Sequence, residues 1–482
     1  MIKLTPKVDA LVRDFVDNKA LIRTLTNGFG TPLNIIFPEI LSKNIKSFQD
    51  IFKKYNLDGK IYYAHKANKS LSLVKQAKSE NIFIDVASAK ELHDALNSGF
   101  SGDEIEVTGP KSSELLILAL QHQCIIQIDN MSELKQIVNF FNKLHPKNPV
   151  SILIRFSGFS SQDTKVISKD SRFGIGLSEQ KNVIDFLTFH KDIFNFKGFS
   201  FHLDSNTPKE KSIALENLIQ LYETFQNNGL TSTFVNIGGG FKINYIAEEK
   251  EWNSFIDALQ QAALGTISPI TWHNANFGFY NEENRVRGNS NFYEYFTKTA
   301  GAEYLDEILS VKLPSQDNTI AAQMISDLML KLVIEPGRSL LDQVGITVAK
   351  VNFVKKSPQG EWLVGLDMNR SNLASTDQEM MLDPIIVYKR EDINEKEFGV
   401  YFVGNLCLES DFIYKHKTFI KRLPEDGDLV IFINTAAYNM DFTESATIQQ
   451  KIAKKIVVIK RDNHFHWFED SQYNPYLLDE QI

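Results

Sequence analysis

The sequence predicts an α/β chain: a closed parallel (β/α)8 barrel followed by a C-terminal all-β barrel domain. Three observations predict it. Eight short β-rich runs, at residues 61–65, 82–86, 104–108, 124–128, 150–156, 198–203, 234–237 and 332–334, are separated in several places by helical patterns such as 89–98 and 132–144. Several runs are almost wholly apolar, as strands buried on both faces are. After Val344 the texture changes, and strand-like runs at 348–354, 362–366, 400–403, 429–433 and 456–459 follow one another without regular helices between them.

Domain boundaries follow from that change. Residues 1–40 read as an amphipathic helix and a strand at 33–37 that joins the β domain. Residues 41–344 read as the barrel and residues 345–482 as the C-terminal domain. Within the barrel, 241–331 is far longer than one crossover needs, and it carries Trp252, Trp272, Phe277, Phe279, Tyr280, Phe292, Tyr293, Tyr295 and Phe296. Such an excursion on the catalytic face is expected to serve as a lid or pocket wall.

Composition narrows the function. The chain has 482 residues, 43% hydrophobic and 23% charged, with a net charge of −8. That balance argues against a general affinity for nucleic acid or an anionic membrane. No apolar run approaches the roughly 20 residues a membrane span requires. The N-terminal 26 residues lack a signal peptide's unbroken apolar stretch. Cys124 and Cys407 are the two cysteines, far apart, so a cytoplasmic setting without a disulfide framework is expected. No metal is expected.

Four motifs end predicted barrel strands, where this architecture keeps its active sites. The first is Tyr62-Tyr63-Ala64-His65-Lys66-Ala67-Asn68. Burying an ammonium costs several kcal/mol, and converting it to an imine removes that cost; a desolvated lysine is also the better nucleophile. Alone, Lys66 reads equally as a strand-end lysine snorkelling to solvent. The second is Gly238-Gly239-Gly240, whose backbone N–H groups are free to approach an anion at the fold's recurrent phosphate site. The third, Glu335-Pro336-Gly337-Arg338, offers a carboxylate for a ring N–H and a guanidinium for phosphate oxygens, or simply a surface ion pair. The fourth, His202-Leu203-Asp204-Ser205, offers an imidazole to stack on a ring and a phosphate-binding hydroxyl, although a lone strand-end histidine is more often structural.

Together, in this order, the four resemble the fold-type III pyridoxal-phosphate (PLP) decarboxylases of ornithine, arginine and meso-diaminopimelate. The likeness extends to Asp85-Val86-Ala87-Ser88 with Glu91-Leu92, Arg155, Arg172-Phe173-Gly174, Gly404-Asn405-Leu406-Cys407 with Asp411, Gly427-Asp428 and Ala437-Tyr438, covering residues 30–445. The resemblance implies PLP bound to Lys66 as a Schiff base and His202 stacked on the ring. It puts Ser205, the three glycines, Arg338 and Tyr438 at the phosphate, Asp85 and Arg155 in the cofactor site, and Glu335 at the pyridine nitrogen. It further implies a homodimer with shared sites, in which Cys407, Leu408, Glu409 and Asp411 of one subunit reach the substrate of the other and Arg172 pairs with Asp411.

The chain departs from the family's pattern at His65, Asp204, Ala436 and 434–442, where the family commonly has other residues. Where the ornithine and diaminopimelate enzymes have an acidic residue for a distal ammonium, this chain has Leu408, with Glu409 one place later. The PLP site is unaffected; the substrate is not the usual one by this reading. It points to a distal group that is bulky or anionic, received by 272–296 with Arg285 and Arg287; in the alternative, the insert is a structural cover and Glu409 takes the acidic role.

The expected activity is decarboxylation of a small α-amino acid. Glu335 favours a protonated pyridinium, the stronger electron sink, with Cys407 or Lys66 returning a proton to Cα. Racemases of the same barrel class typically place an arginine at that nitrogen. A racemase and a non-catalytic regulatory homologue are the alternatives; retention of Lys66, Glu335, Arg338, Cys407 and Tyr438 weighs against the latter.

Overall fold

The computed structural model describes residues 2–160, 171–203, 207–374, 380–390, 396–441 and 448–478. They form two compact units. One comprises Leu41–Lys242, Thr299–Leu340 and the C-terminal residues from Asn474; the other comprises Met1–Ile40, Ile243–Lys298 and Leu341–Tyr473.

The first unit is a closed parallel barrel. Its strands are β1 (Gly59–Ala64), β2 (Phe83–Val86), β3 (Ile105–Val107), β4 (Ile125–Ile128), β5 (Val150–Ser157), β6 (Phe194–Ser200), β7 (Phe234–Asn236) and β8 (Lys331–Ile334). Each pairs in parallel with the next, β4 pairs with β5, and β8 returns to β1 through Leu332↔Gly59 and Ile334↔Ile61. Every predicted barrel strand is present, with ends shifted by a few residues. Closure removes the sheet edges and leaves both faces of each strand covered, which is why β4 and most of β2 and β8 are buried without interruption.

Helix starts are written in the strand-end loops. Ser88 Oγ accepts the Glu91 amide and caps Ala89–Asn97, while Glu91 Oε2 accepts the Ala87 N–H at 2.6 Å. Part of the Asp85–Leu92 motif is therefore a helix cap. Asn130 caps Met131–Leu144 in the same way.

The other unit is β-rich. Leu33–Ile36 pairs antiparallel with Gly345–Lys356 and parallel with Lys454–Arg461. The expected all-β domain takes the form of a branched nine-stranded sheet in which Gly345–Lys356 also pairs with Trp362–Leu366 and Leu429–Phe432. The N-terminal amphipathic stretch is two helices, Ala10–Asp17 and Lys19–Phe29, because Asn18 accepts the Leu21 amide and starts the second. Among the described residues no helix is long and apolar enough to cross a membrane.

Most rings of the aromatic excursion are core rather than the lid or pocket wall that the sequence suggests; Trp272 lines a cavity. Residues 243–298 cluster with the β-rich unit, and Trp252, Phe255, Phe277, Phe279, Phe292 and Tyr295 are buried in its core with Val364, Leu366, Phe402 and Phe432. Tyr245 and Tyr295 lie 4.6 Å apart, and Trp252 meets Phe292 edge to face at 5.8 Å. Rings of this size bury on the order of 150–250 Å² each, so they serve better as core than as a cover. Phe255→Ala is expected to cost about 3–5 kcal/mol in urea unfolding, and Phe189→Ala, at an exposed position, under about 0.5 kcal/mol. Equal losses would contradict a core role for the insert.

Candidate active site

Polar side chains converge on the barrel's axis and its C-terminal mouth. Lys66 follows β1 in the short 3-10 turn His65–Ala67 and places Nζ 3.1 Å from Asp85 Oδ2 on β2. The Lys66 side chain is 38% exposed, so the amine is reachable from the mouth, while Asp85 is buried. Thr108 Oγ1 donates to the other Asp85 oxygen. Burial pushes the Asp85 carboxyl up, against the opposing pull of the Lys66 ammonium.

Glu335 follows β8 and is 3% exposed. Its Oε1 accepts from Asn236 Nδ2 at 2.7 Å and Gln127 Nε2 at 3.0 Å. The same two amides reach a second buried carboxylate, Glu106 on β3, at 3.0 Å each to Oε1. Asn236 is oriented unambiguously, because its Oδ1 accepts the Gly238 N–H at 2.8 Å. Burial alone would raise the Glu335 carboxyl. Hydrogen bonding and positive charge from His202, the nearby Lys66 charge and the Asn236 amide outweigh it and bring it down to about 2. Barrel interiors are ordinarily filled by branched apolar residues; here one layer is carboxylate and carboxamide.

His202 lies two residues beyond β6. Its Nδ1 lies 3.3 Å from the Gly239 nitrogen and 3.5 Å from Glu335 Oε2. Desolvation lowers the imidazole's pKa, and the hydrogen bond and charge of Glu335 pull the other way. The glycine loop follows β7. Gly238 and Gly240 have φ of 67° and 75°, and a Cβ at Gly239 would lie 2.5 Å from the Glu335 carbonyl oxygen. Only glycine fits there. Lys211, fully buried, donates to the Gly239 carbonyl at 2.6 Å and pins the loop from below. Arg338 follows half-buried, two residues beyond Pro336, whose carbonyl accepts the Ala64 N–H.

Arg155 on β5 lies 3.5 Å from Asp129 and 4.8 Å from the Phe173 ring; Arg172 covers that ring at 4.2 Å. Ser205 and Asp204 lie outside the described residues. The structure thus brings Lys66, Asp85, His202, the glycines and Glu335 into one barrel. Glu106, Gln127, Asn236 and Lys211 were missed from the sequence. Their signal was a polar residue inside an otherwise apolar strand or helix face, the feature least expected in a buried run.

The remaining expected residues belong to the β-rich unit. Tyr438 follows Leu429–Phe432 with a left-handed φ of 67°, a conformation that costs a bulky residue energy and clusters at functional sites. Cys407, Leu408 and Glu409 are exposed. Asp411 is turned inward, where its carboxylate accepts the Arg370 and Leu406 amides at 2.8 Å each. Glu409 and Trp272 line a cavity of about 670 Å³ with Lys355, Lys356, Phe412 and Lys415.

Comparison with known proteins shows what the chain is similar to. Residues 40–272 match the family model for the pyridoxal-dependent decarboxylase pyridoxal-binding domain. The chain is 23% identical to diaminopimelate decarboxylase of Staphylococcus aureus, covering 89% of each chain. It is 24% identical to an L-glutamyl-[BtrI acyl-carrier protein] decarboxylase of Niallia circulans, covering 88% of each. By the family model over residues 40–272 and by these relatives along its length, the chain is similar to the fold-type III PLP-dependent decarboxylases. The crystal structure of diaminopimelate decarboxylase from M. jannaschii has the same fold, with a TM-score of 0.69 at 18% identity over 95% of this chain and 94% of that one. The family's enzymes are amino-acid decarboxylases, and their cofactor is pyridoxal 5′-phosphate. The donor set suits that group. A strand-end amine, a buried carboxylate and a loop with no room for a Cβ match its aldehyde, ring nitrogen and phosphate in kind.

The amide clamp generates a prediction. Asn236→Leu leaves two buried carboxylates short of donors and is expected to cost about 2–4 kcal/mol. Thermal or urea unfolding measures it; a loss under about 1 kcal/mol would show that the clamp does not carry the pair.

Proposed function

We propose that the chain decarboxylates an α-amino acid, with Lys66 carrying the cofactor covalently through Nζ and Glu335 facing the ring nitrogen. The observation that carries this reading is a reachable lysine amine paired to Asp85 at 3.1 Å in the same barrel as the buried Glu335 carboxyl. His202 would lie against the ring. The glycine loop Gly238–Gly240, with Arg338, Ser205 and Tyr438, would hold the phosphate, and Arg155 would complete the cofactor site.

When bound, the cofactor supplies an electron sink for the electron pair released as the Cα–carboxylate bond breaks. The protein's part is to fix protons and exclude water. Asp85 accepts the Lys66 ammonium proton and orients Nζ at the mouth. Glu335 stays ionised and offers Oε2 to a ring N–H, which favours decarboxylation over the chemistry of a site that keeps the ring neutral. A proton held on Lys66 Nζ, or on Cys407 Sγ of a second subunit, returns to Cα. That second route belongs to a homodimer with shared sites, which the exposure of Cys407, Leu408 and Glu409 supports.

For the substrate, Leu408 is 57% exposed, and Glu409 lines a cavity bearing Lys355, Lys356 and Lys415. A distal ammonium would meet those cations unfavourably; an anionic or extended conjugated group would not. The relative that acts on carrier-protein-bound glutamate supports the same direction. Arg287, one of the arginines expected to receive that group, already pairs with Glu282 at 3.0 Å.

Purified protein with PLP is expected to be yellow. Borohydride should fix the cofactor to the peptide containing Lys66, and ¹⁴C-carboxyl amino acids should release labelled CO2. Label on another lysine would overturn the assignment. Turnover of ornithine, lysine or meso-diaminopimelate with kcat/KM of about 10⁴ M⁻¹s⁻¹ or better would overturn the substrate reading.

A further inference from the structure

Glu106 is the one carboxylate of the barrel layer that the proposed mechanism does not use. It is fully buried on β3 at the position paired with Asp85. The groups around it come from five strands. Tyr62 stands on β1, Asp85 on β2, Gln127 on β4, Asn236 on β7, and Glu335 follows β8. None of these is a cation.

Two amides serve two carboxylates here. Asn236 Nδ2 lies 3.0 and 3.1 Å from the Glu106 oxygens and 2.7 Å from Glu335 Oε1. Gln127 Nε2 lies 3.0 Å from an oxygen of each. Carboxylates that share donors at this range in a low-dielectric interior do not both ionise; the pair holds one proton. The partners of each decide where it sits. Glu335 also meets His202 and feels the Lys66 charge, whereas Glu106 has the amides alone. Burial, then the charges of Glu335 and Asp85, push the Glu106 carboxyl well above the usual carboxylate range.

We propose that Glu106 is a positioning residue: a neutral carboxylic acid, tied to Glu335 through Asn236 and Gln127, that keeps the pair's single negative charge and its orientation on Glu335. This rests on the reading that Glu335 faces the ring nitrogen. Glu106 then acts on the cofactor through Glu335 without touching it. A glutamine is close in shape to the neutral acid and keeps an oxygen acceptor, with an NH2 in place of the O–H; a leucine supplies neither acceptor nor donor.

The experiment uses the full chain in two states. With PLP bound, the pH titration of the visible band is compared for wild type, Glu106→Gln, Glu106→Leu and Glu335→Gln. Glu106→Gln should leave the titration where it is, and Glu106→Leu should move it toward that of Glu335→Gln. If Glu106→Leu moves nothing, Glu106 does not position Glu335. If Glu106→Gln moves as far as Glu106→Leu, the acid is charged. Both results overturn the proposal.

Without PLP, unfolding of wild type and Glu106→Gln is compared between about pH 5.5 and about pH 8. A raised native pKa means that the folded chain keeps a proton that the unfolded chain releases above about 4.5. Wild-type stability therefore falls as pH rises through this window, and Glu106→Gln escapes the loss. The ratio of their folding constants should grow in the variant's favour, by up to about tenfold per pH unit. A ratio that stays flat or falls overturns the neutral acid. If Glu335→Gln leaves the visible band's titration untouched, the ring-nitrogen reading fails instead, and the unloaded-chain comparison still decides the state of Glu106.

Discussion

The constraint on which this site depends is the low dielectric of a closed barrel. A ring of eight hydrogen-bonded strands has no free edge and admits little water, so a charge on its axis must find its counterpart among the strand side chains. Asn236 and Gln127 answer that demand for Glu335, and Glu106 answers it by giving up its charge. In the proposed reading, a carboxylate at the floor of the mouth and an amine at its rim, paired with Asp85, would orient a cofactor with an aldehyde at one position and a ring nitrogen at another. The electrostatics are set before any ligand arrives, which is what preorganisation requires.

The loops divide the remaining work. Gly239 has no room for a side chain, and buried Lys211 holds its carbonyl. The loop's shape is therefore fixed by a charge-assisted bond, a steric limit and the Gly238 N–H, which donates to Asn236 Oδ1. Asp85 lies next to the end of β2, and Ala87, Ser88 and Glu91 form the cap of the following helix, so the position of the Lys66 partner is tied to a helix start. In the β-rich unit, Asp411 uses its carboxylate to shape the loop that exposes Cys407, Leu408 and Glu409. That loop resembles a prepared surface more than a flexible tail.

Much of this was legible in the sequence. The barrel strands were visible because strands buried on both faces are apolar without alternation, and the strand-end motifs were visible because Lys66, the glycines and Glu335 interrupt that pattern at its C-terminal edge. The helix at 10–29 was legible as amphipathic, but its break at Asn18 depends on one side-chain hydrogen bond. The aromatic stretch misled. Trp252 and Phe292 look the same in a lid as in a core, and only tertiary packing distinguishes the two. Glu106, Gln127 and Asn236 were passed over because each is a single polar residue in a buried run. Their meaning lies in being neighbours across β3, β4 and β7, which one-dimensional periodicity does not contain. The contrast between Leu408 and Glu409 was visible, whereas the three lysines sharing Glu409's cavity were not, being distant in the chain.

In the proposed site Glu335 stays ionised in the barrel and would hold a proton on the ring nitrogen. ¹⁵N NMR of the chain loaded with ring-¹⁵N-labelled pyridoxal phosphate reads that proton directly. The account predicts a protonated ring nitrogen across the neutral range in the wild type and its loss in Glu335→Gln. An unprotonated nitrogen in the wild type, or the same shift in both proteins, would contradict it.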